Sequence, residues 1–217
     1  MNRTDWDAYY SGLYKTAAYS RMITSGKLVK LLKRFIPETV SGIKIAELGG
    51  ANSCFYEVIN KSFSPQEYLI VDNNQPGLKK TLERSGNSVN ISVKNEDVID
   101  PDFIEGKYDI VFSVGLIEHF SREDTRKCIA THFDYLKSNG ICIVTFPTPT
   151  WLYKITRKCA ELLGIWIFYD ERPLTINEVT DQINKYGNIC HKSITWSIFL
   201  TQGVIVARKF RGENSPL

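Results

Sequence analysis

The chain has no C-x-x-C pair. Its five cysteines (Cys54, Cys128, Cys142, Cys159, Cys190) stand apart, most of them inside apolar segments. That spacing argues against a zinc site or a disulfide framework and for free thiols in a reducing compartment. No stretch of about 18 apolar residues exists, so no membrane-spanning helix is expected. The opening MNRTDWDAYY lacks an apolar run, so a signal peptide is not expected and a cytoplasmic location is. Charge of one sign is scarce too. Lys and Arg number 27 against 24 Asp and Glu, a net +3 scattered along the chain, which is too little to argue for a nucleic-acid partner. There is no internal repeat and no linker long enough for a second domain. What remains is 217 residues, 43% hydrophobic and 24% charged, the composition of one globular domain with a full core.

The most informative stretch is Lys44 to Ser53, KIAELGGANS. A short apolar strand ends in Glu47. The small residues Gly49, Gly50 and Ala51 make a turn, and the polar pair Asn52 and Ser53 precedes a helix signalled by Phe55, Val58, Ile59 and Phe63. Strand, tight turn and helix in that order form a ligand cradle, with close backbone approach and unpaired N–H groups at the helix start. The dinucleotide fingerprint G-x-G-x-x-G is incomplete here, and an acid before the turn suits a cation better than a phosphate. The ligand expected is a nucleoside carrying positive charge, such as an amino group or a sulfonium.

The same punctuation recurs. Tyr68 to Val71 is a second strand closed by Asp72, 25 residues after Glu47, near the spacing of a ribose-binding acid. Val89, Ile91 and Val93 alternate as a third strand, followed by Asn95, Glu96 and Asp97. Tyr108 to Val114 is a fourth, nearly all apolar, as a doubly covered parallel strand should be. A helix capped at Ser121 leads to a fifth strand, Ile141 to Phe146. A helix starting at Thr175 precedes two strand-like runs, Ile189 to Leu200 and Gly203 to Lys209, whose short link demands antiparallel pairing. The fold class expected is α/β: a Rossmann-like, doubly wound, mostly parallel seven-stranded sheet with an antiparallel C-terminal hairpin.

Three parts stand outside that pattern. Residues 1–25 are rich in Trp and Tyr (Trp6, Tyr9, Tyr10, Tyr14, Tyr19) and read either as a helix packed on the sheet edge or as a lid over the ligand. The main domain runs over 26–210, opening with an amphipathic helix at 26–36. Within it, residues 148–175 form a helical, apolar insertion. Its segment 148–170 suits a pocket cover first, then a peripheral membrane contact or a homodimer face. Residues 211–217 read as a flexible tail.

From about residue 40 to residue 208 the chain resembles the class I S-adenosylmethionine-dependent methyltransferases, in the small-molecule branch that includes the ubiquinone-pathway O-methyltransferases. The resemblance rests on Ala46 to Ser53, on Asp72 and Asp97 after the second and third strands, on Tyr108 to Phe120, and on Leu136 to Thr145, in order and at the right spacing. It implies S-adenosyl-L-methionine as cofactor. Glu47 and the Gly49–Gly50 turn would hold the methionine end, and Ala51, Asn52 and Ser53 after them would also be cofactor-binding. Asp72 would bind the ribose hydroxyls with Asn73 beside the adenosine, Asp97 with Val98 would meet the adenine edge, Glu96 would also be cofactor-binding, and Ser113, Val114 and Gly115 would pass under the sulfonium. Ala51 and Ser53 replace glycines usual in the family. Gly115 stands where metal-binding members carry a first glutamate, so no metal is expected although Glu118 and His119 remain.

Methyl transfer needs alignment and exclusion of water, and a hydroxyl acceptor also needs a base. His119 is the candidate base; the alternative is that it only orders its loop. The acceptor expected is a small molecule with a hydroxyl: a sugar, a phenolic or quinone-like compound, or a lipid-linked one. The competing expectation is a non-catalytic protein of the same fold, acting as a binding or assembly subunit.

Overall fold

The structure, a computed structural model, describes residues 4–10, 15–36, 42–86, 88–102, 104, 106–196 and 201–211. A short helix α1 (Trp6–Tyr10) and a long helix α2 (Lys15–Phe35) precede the sheet. Then β1 (Lys44–Leu48), α3 (Tyr56–Phe63), β2 (Glu67–Asp72), α4 (Gln75–Arg84) and β3 (Ile91–Asn95) alternate. The chain returns through β4 (Tyr108–Val114), a single 3-10 turn (Ile117–His119), α5 (Arg122–Tyr135) and β5 (Leu136–Pro147). The insertion contributes α6 (Trp151–Leu162), and α7 (Ile176–Ile183), β6 (Gly187–Trp196) and β7 (Thr201–Lys209) complete the fold.

The seven strands lie in the order β3-β2-β1-β4-β5-β7-β6. The first five are parallel, and β7 runs antiparallel between β5 and β6. This is the Rossmann-like doubly wound sheet expected. The order reverses between β1 and β4, and in open α/β sheets the crevice at such a switch point is where ligands bind. Alternation along each strand sends side chains to two cores. Ile45, Tyr68, Ile70 and Phe112 meet Leu28 and Leu32 of α2 and Ile59 of α3 on one face. Ala46, Leu48, Val71 and Val111 meet Ile129 and Phe133 of α5 and Val179 and Ile183 of α7 on the other.

Four boundaries differ from the sequence expectation. Helix α2 begins at Lys15 and crosses the expected boundary at 25/26, because Ala17, Ala18, Arg21 and Met22 are good helix formers and the exposed Gly26 costs only about 1 kcal/mol. Val89 is fully exposed in a turn and β3 starts after it. Strand β5 starts at Leu136 rather than Ile141, since it pairs with Tyr108 before a register shift. In the hairpin, Thr201 and Gln202 belong to β7. Tyr14, Leu200 and residues 212–217 of the expected tail lie outside the described residues.

Candidate active site at the ends of β1, β2 and β4

Glu47 is the last residue but one of β1, with its side chain buried. Its Oε2 accepts from Ser53 Oγ and from Tyr68 OH, both at 2.6 Å. Ser53 Oγ in turn accepts from the backbone N–H groups of Phe55 (3.1 Å) and Tyr56 (3.2 Å), so the serine ties the strand's acid to the start of α3. Burial and the neighbouring Glu47 push the Tyr68 phenol well above its ordinary range, which keeps it a donor. The turn between them needs its glycines. Gly49 has φ +70°, and a Cβ at Gly50 would lie 2.5 Å from the Glu47 carboxyl. Ala51 carries no positive φ and packs its methyl against Gly77 of α4.

Asp72 ends β2. Its carboxyl oxygens accept from the N–H groups of Ala51 (3.0 Å) and Asn74 (2.8 Å), which fastens the two strand ends together. Burial raises its pKa, and these bonds only partly offset that. A carboxylate has about four acceptor positions, so Asp72 keeps capacity for further donors. Asn73 beside it is exposed. After β3, Asp97 accepts from Ile99 N–H at 3.0 Å and Val98 is buried. Glu96 instead closes its own loop, pairing with Lys94 at 2.7 Å and accepting from Asp102 N–H and Tyr135 OH. At the end of β4, Gly115 has φ +70° and Val114 is half-buried. The Ser113 side chain points away from the crevice, toward α5. Its Oγ lies 2.9 Å from His132 Nε2, while His132 Nδ1 meets the Cys128 carbonyl at 2.7 Å. Burial lowers the pKa of His132 to about 4, so it is a neutral structural histidine.

Beyond Gly115 the 3-10 turn presents Glu118 and His119 to the insertion. His119 Nδ1 lies 3.0 Å from Asp170 Oδ1, and Thr4 Oγ1 donates to the same oxygen. Burial raises the Asp170 carboxyl, but the bonds from His119 and Thr4 outweigh it and hold it down at about 2. Burial lowers His119, but Asp170 and the acids around it outweigh that and raise it above its ordinary value. Glu118 is buried, with His119 Nε2 4.0 Å from its Oε1, and burial pushes its carboxyl up to about 8. Its Oε2 has no hydrogen-bond partner among the described residues. Glu171 accepts from Tyr153 OH, and burial raises its pKa. Ligand atoms of Glu118, His119 and Glu171 lie within 4.8 Å of one another, a donor set able to hold a divalent cation.

Asp170 and Glu171 were missed as site residues in the sequence. They stand more than 50 residues from His119, in an irregular loop with no motif around them. Helix α1 spans the two halves of the site. Asn74 Nδ2 donates to Asp7 (2.7 Å), and Asn52 Nδ2 and Lys80 Nζ donate to the Tyr10 carbonyl at 3.0 and 3.2 Å. Trp6 meets the His119 ring edge-on at 4.8 Å and also contacts Phe168 of the insertion. The helix therefore sits over the crevice rather than at the sheet edge.

Residues 45–140 match the family model for a methyltransferase domain. No curated protein matches the chain. Among solved structures the chain is similar to the N-methyltransferase NodS from Bradyrhizobium japonicum WM9, in complex with S-adenosyl-L-homocysteine. That match has a TM-score of 0.62 and 11% identity, and covers 84% of this chain and 86% of that one. It is also similar to the magnesium protoporphyrin IX methyltransferase ChlM from Synechocystis PCC 6803, with the same ligand bound (TM-score 0.68, 13% identity, 86% and 82% covered). The cyclase SpnF shares the fold to a like degree (TM-score 0.66, 10% identity, 86% and 82% covered). Residues 45–140 thus match a methyltransferase domain, and with this strand order the chain shares the Rossmann-like fold of these solved methyltransferases.

Proposed function

We propose that the protein transfers a methyl group from S-adenosyl-L-methionine to a hydroxyl of a small-molecule acceptor, with His119 as base and Asp170 as the residue that positions it. The observation that carries the reading is the His119–Asp170 pair, set beside a cradle whose donors suit a cationic nucleoside. Bound S-adenosyl-L-methionine would supply an electrophilic methyl on a sulfonium. Asp72 would take the ribose hydroxyls, Glu47 would lie toward the amino group, and the Gly49–Gly50 turn would admit the backbone of the ligand. Asp170 keeps the proton on Nδ1, so Nε2 is the nitrogen that accepts the acceptor's proton, and the same carboxylate stabilises the imidazolium that results. Trp6 and Phe168 cover the histidine and exclude water.

Turnover is expected to rise with pH through a midpoint above the ordinary 6.5 of histidine, because His119 is raised. In Asp170→Asn that midpoint moves down and turnover falls with it. His119→Ala should lose roughly 10²–10⁴ in turnover while calorimetry with S-adenosyl-L-homocysteine shows unchanged affinity. Equal turnover in His119→Ala would remove the base role.

A second reading is a binding or assembly subunit that transfers no methyl group. It draws on α1, which bonds to Asn52, Asn74 and Lys80 across the cradle. A folded protein that binds neither S-adenosylmethionine nor S-adenosylhomocysteine would favour it.

A further inference from the structure

We infer that the outer face of the insertion docks on an anionic lipid surface. A helix on a globular protein ordinarily turns its apolar stripe inward. Helix α6 does the reverse. Trp151, Ile155 and Leu162, spaced by four and seven residues, form one stripe, and all three are exposed, Leu162 by 80%. The side turned to the protein is polar. Tyr153 is buried and donates to Glu171, and Arg157 donates to the Tyr153 hydroxyl and the Glu171 carbonyl while lying over the Trp166 ring. The outward stripe continues past the helix through the exposed Leu163 and Ile165. It reaches the edge strand β6 by the Trp151–Trp196 ring contact at 6.4 Å, with Ile194 exposed beside Trp196.

The charges around this patch choose the occupant. Lys154 and Lys158 on α6 and Lys192 on β6 are exposed, and among the described residues none of them has an ion pair. The nearby acid Glu161 is already paired with Arg157 at 2.8 Å. Tryptophans and leucines rimmed by uncompensated lysines fit the boundary between lipid headgroups and acyl chains. A two-fold pairing of two copies would instead set the same lysines facing one another. At about 1.5 Å per residue, twelve residues give roughly 18 Å, and among the described residues no helix is long and apolar enough to cross a membrane. The face therefore lies on the bilayer and does not span it. The inner side of the same segment carries Phe168 and Asp170 against His119. If the methyltransferase reading holds, an acceptor anchored in that bilayer would meet the base directly.

The test is co-sedimentation of the full chain with phosphatidylcholine vesicles, with and without phosphatidylglycerol, using no cofactor or acceptor, so its outcome is independent of methyl transfer. The wild type should bind the anionic vesicles at least tenfold better than the neutral ones, and less as salt is raised. Leu162→Glu/Leu163→Glu, both at exposed positions, should lose at least tenfold in binding with an unchanged thermal melt. Lys154→Glu/Lys158→Glu should lose the preference for the anionic lipid. Absence of wild-type binding, or equal binding by the leucine double variant, overturns the inference. So does a dimer in light scattering that the leucine substitutions dissolve in a protein that ignores vesicles.

Discussion

The cradle at the ends of β1 and β2 and the cluster at the end of β4 are neighbours in one sheet, and they treat buried acids differently. In the cradle, Glu47 accepts from Ser53 and Tyr68, and Asp72 accepts from Ala51 and Asn74, so each carboxyl holds the turn in shape before any ligand arrives. In the cluster, Glu118 is equally buried, yet its Oε2 has no hydrogen-bond partner among the described residues, and Glu171 and Asp170 crowd the same space. Leaving a buried polar group unsatisfied costs about 1–3 kcal/mol. The cradle is held in shape by its own hydrogen bonds. The cluster keeps unspent hydrogen-bonding capacity where a reacting group or a cation would sit.

Conservative substitutions on the two sides should therefore act with opposite sign. Glu118→Gln matches the protonated acid in shape. Glu118 titrates near 8 in the folded protein against 4.5 ordinarily. Between those values the unfolded chain gives up a proton that the folded chain keeps, so stability is lost as pH rises from 4.5 to about 8. The glutamine does not titrate. The variant should match the wild type at pH 4 and exceed it at pH 7 by up to about 3 kcal/mol in chemical denaturation. A loss at pH 7 would mean that the ionised Glu118 is held by a cation.

In the cradle, Tyr68→Phe removes one donor to Glu47 and leaves the ring in place. The expected effect is a loss of roughly 1.5–3 kcal/mol, the usual worth of a hydrogen bond to a charged group. The loss should hold steady from pH 6 to pH 8, because the Tyr68 phenol stays protonated throughout. Urea denaturation reads it. A neutral result would show that Ser53 alone shapes the turn, and the contrast with the cluster would fail.

The two regions also differ in how far they could be read from sequence. The cradle is local: Glu47, Gly49, Gly50 and Ser53 fall within seven consecutive residues, and Asp72 follows one βα unit later, so spacing and turn chemistry place them. The strand order follows from the same alternation. The cluster is assembled by tertiary contact. His119 sits on the recognisable β4 exit, but Asp170 reaches it from a loop without periodicity, and Thr4 and Trp6 arrive from the other end of the chain. Ser113 shows the limit from the other side. Its position in the motif was legible, but the rotation of β4 that aims it at His132 belongs to the packing of α5. The exposed stripe on α6 was visible as an apolar helix, and only burial shows that it faces outward.

The link between the regions is α1, and it should be the weakest part of the site. The helix has five residues, too few to hold itself together in water. It is held by contacts to both sides: Asp7 to Asn74, the Tyr10 carbonyl to Asn52 and Lys80, and Trp6 to His119. The Asp7–Asn74 bond is exposed and separable from the others. Asp7→Ala should cost at most about 1 kcal/mol, felt within α1 and not in the global melt. Amide exchange in residues 6–10 should then speed up by roughly fivefold at most, while exchange in β1 and β4 stays unchanged. Acceleration in β1 as well would mean that α1 and the cradle open as one unit, which would make the helix part of the binding surface and not a cover over it.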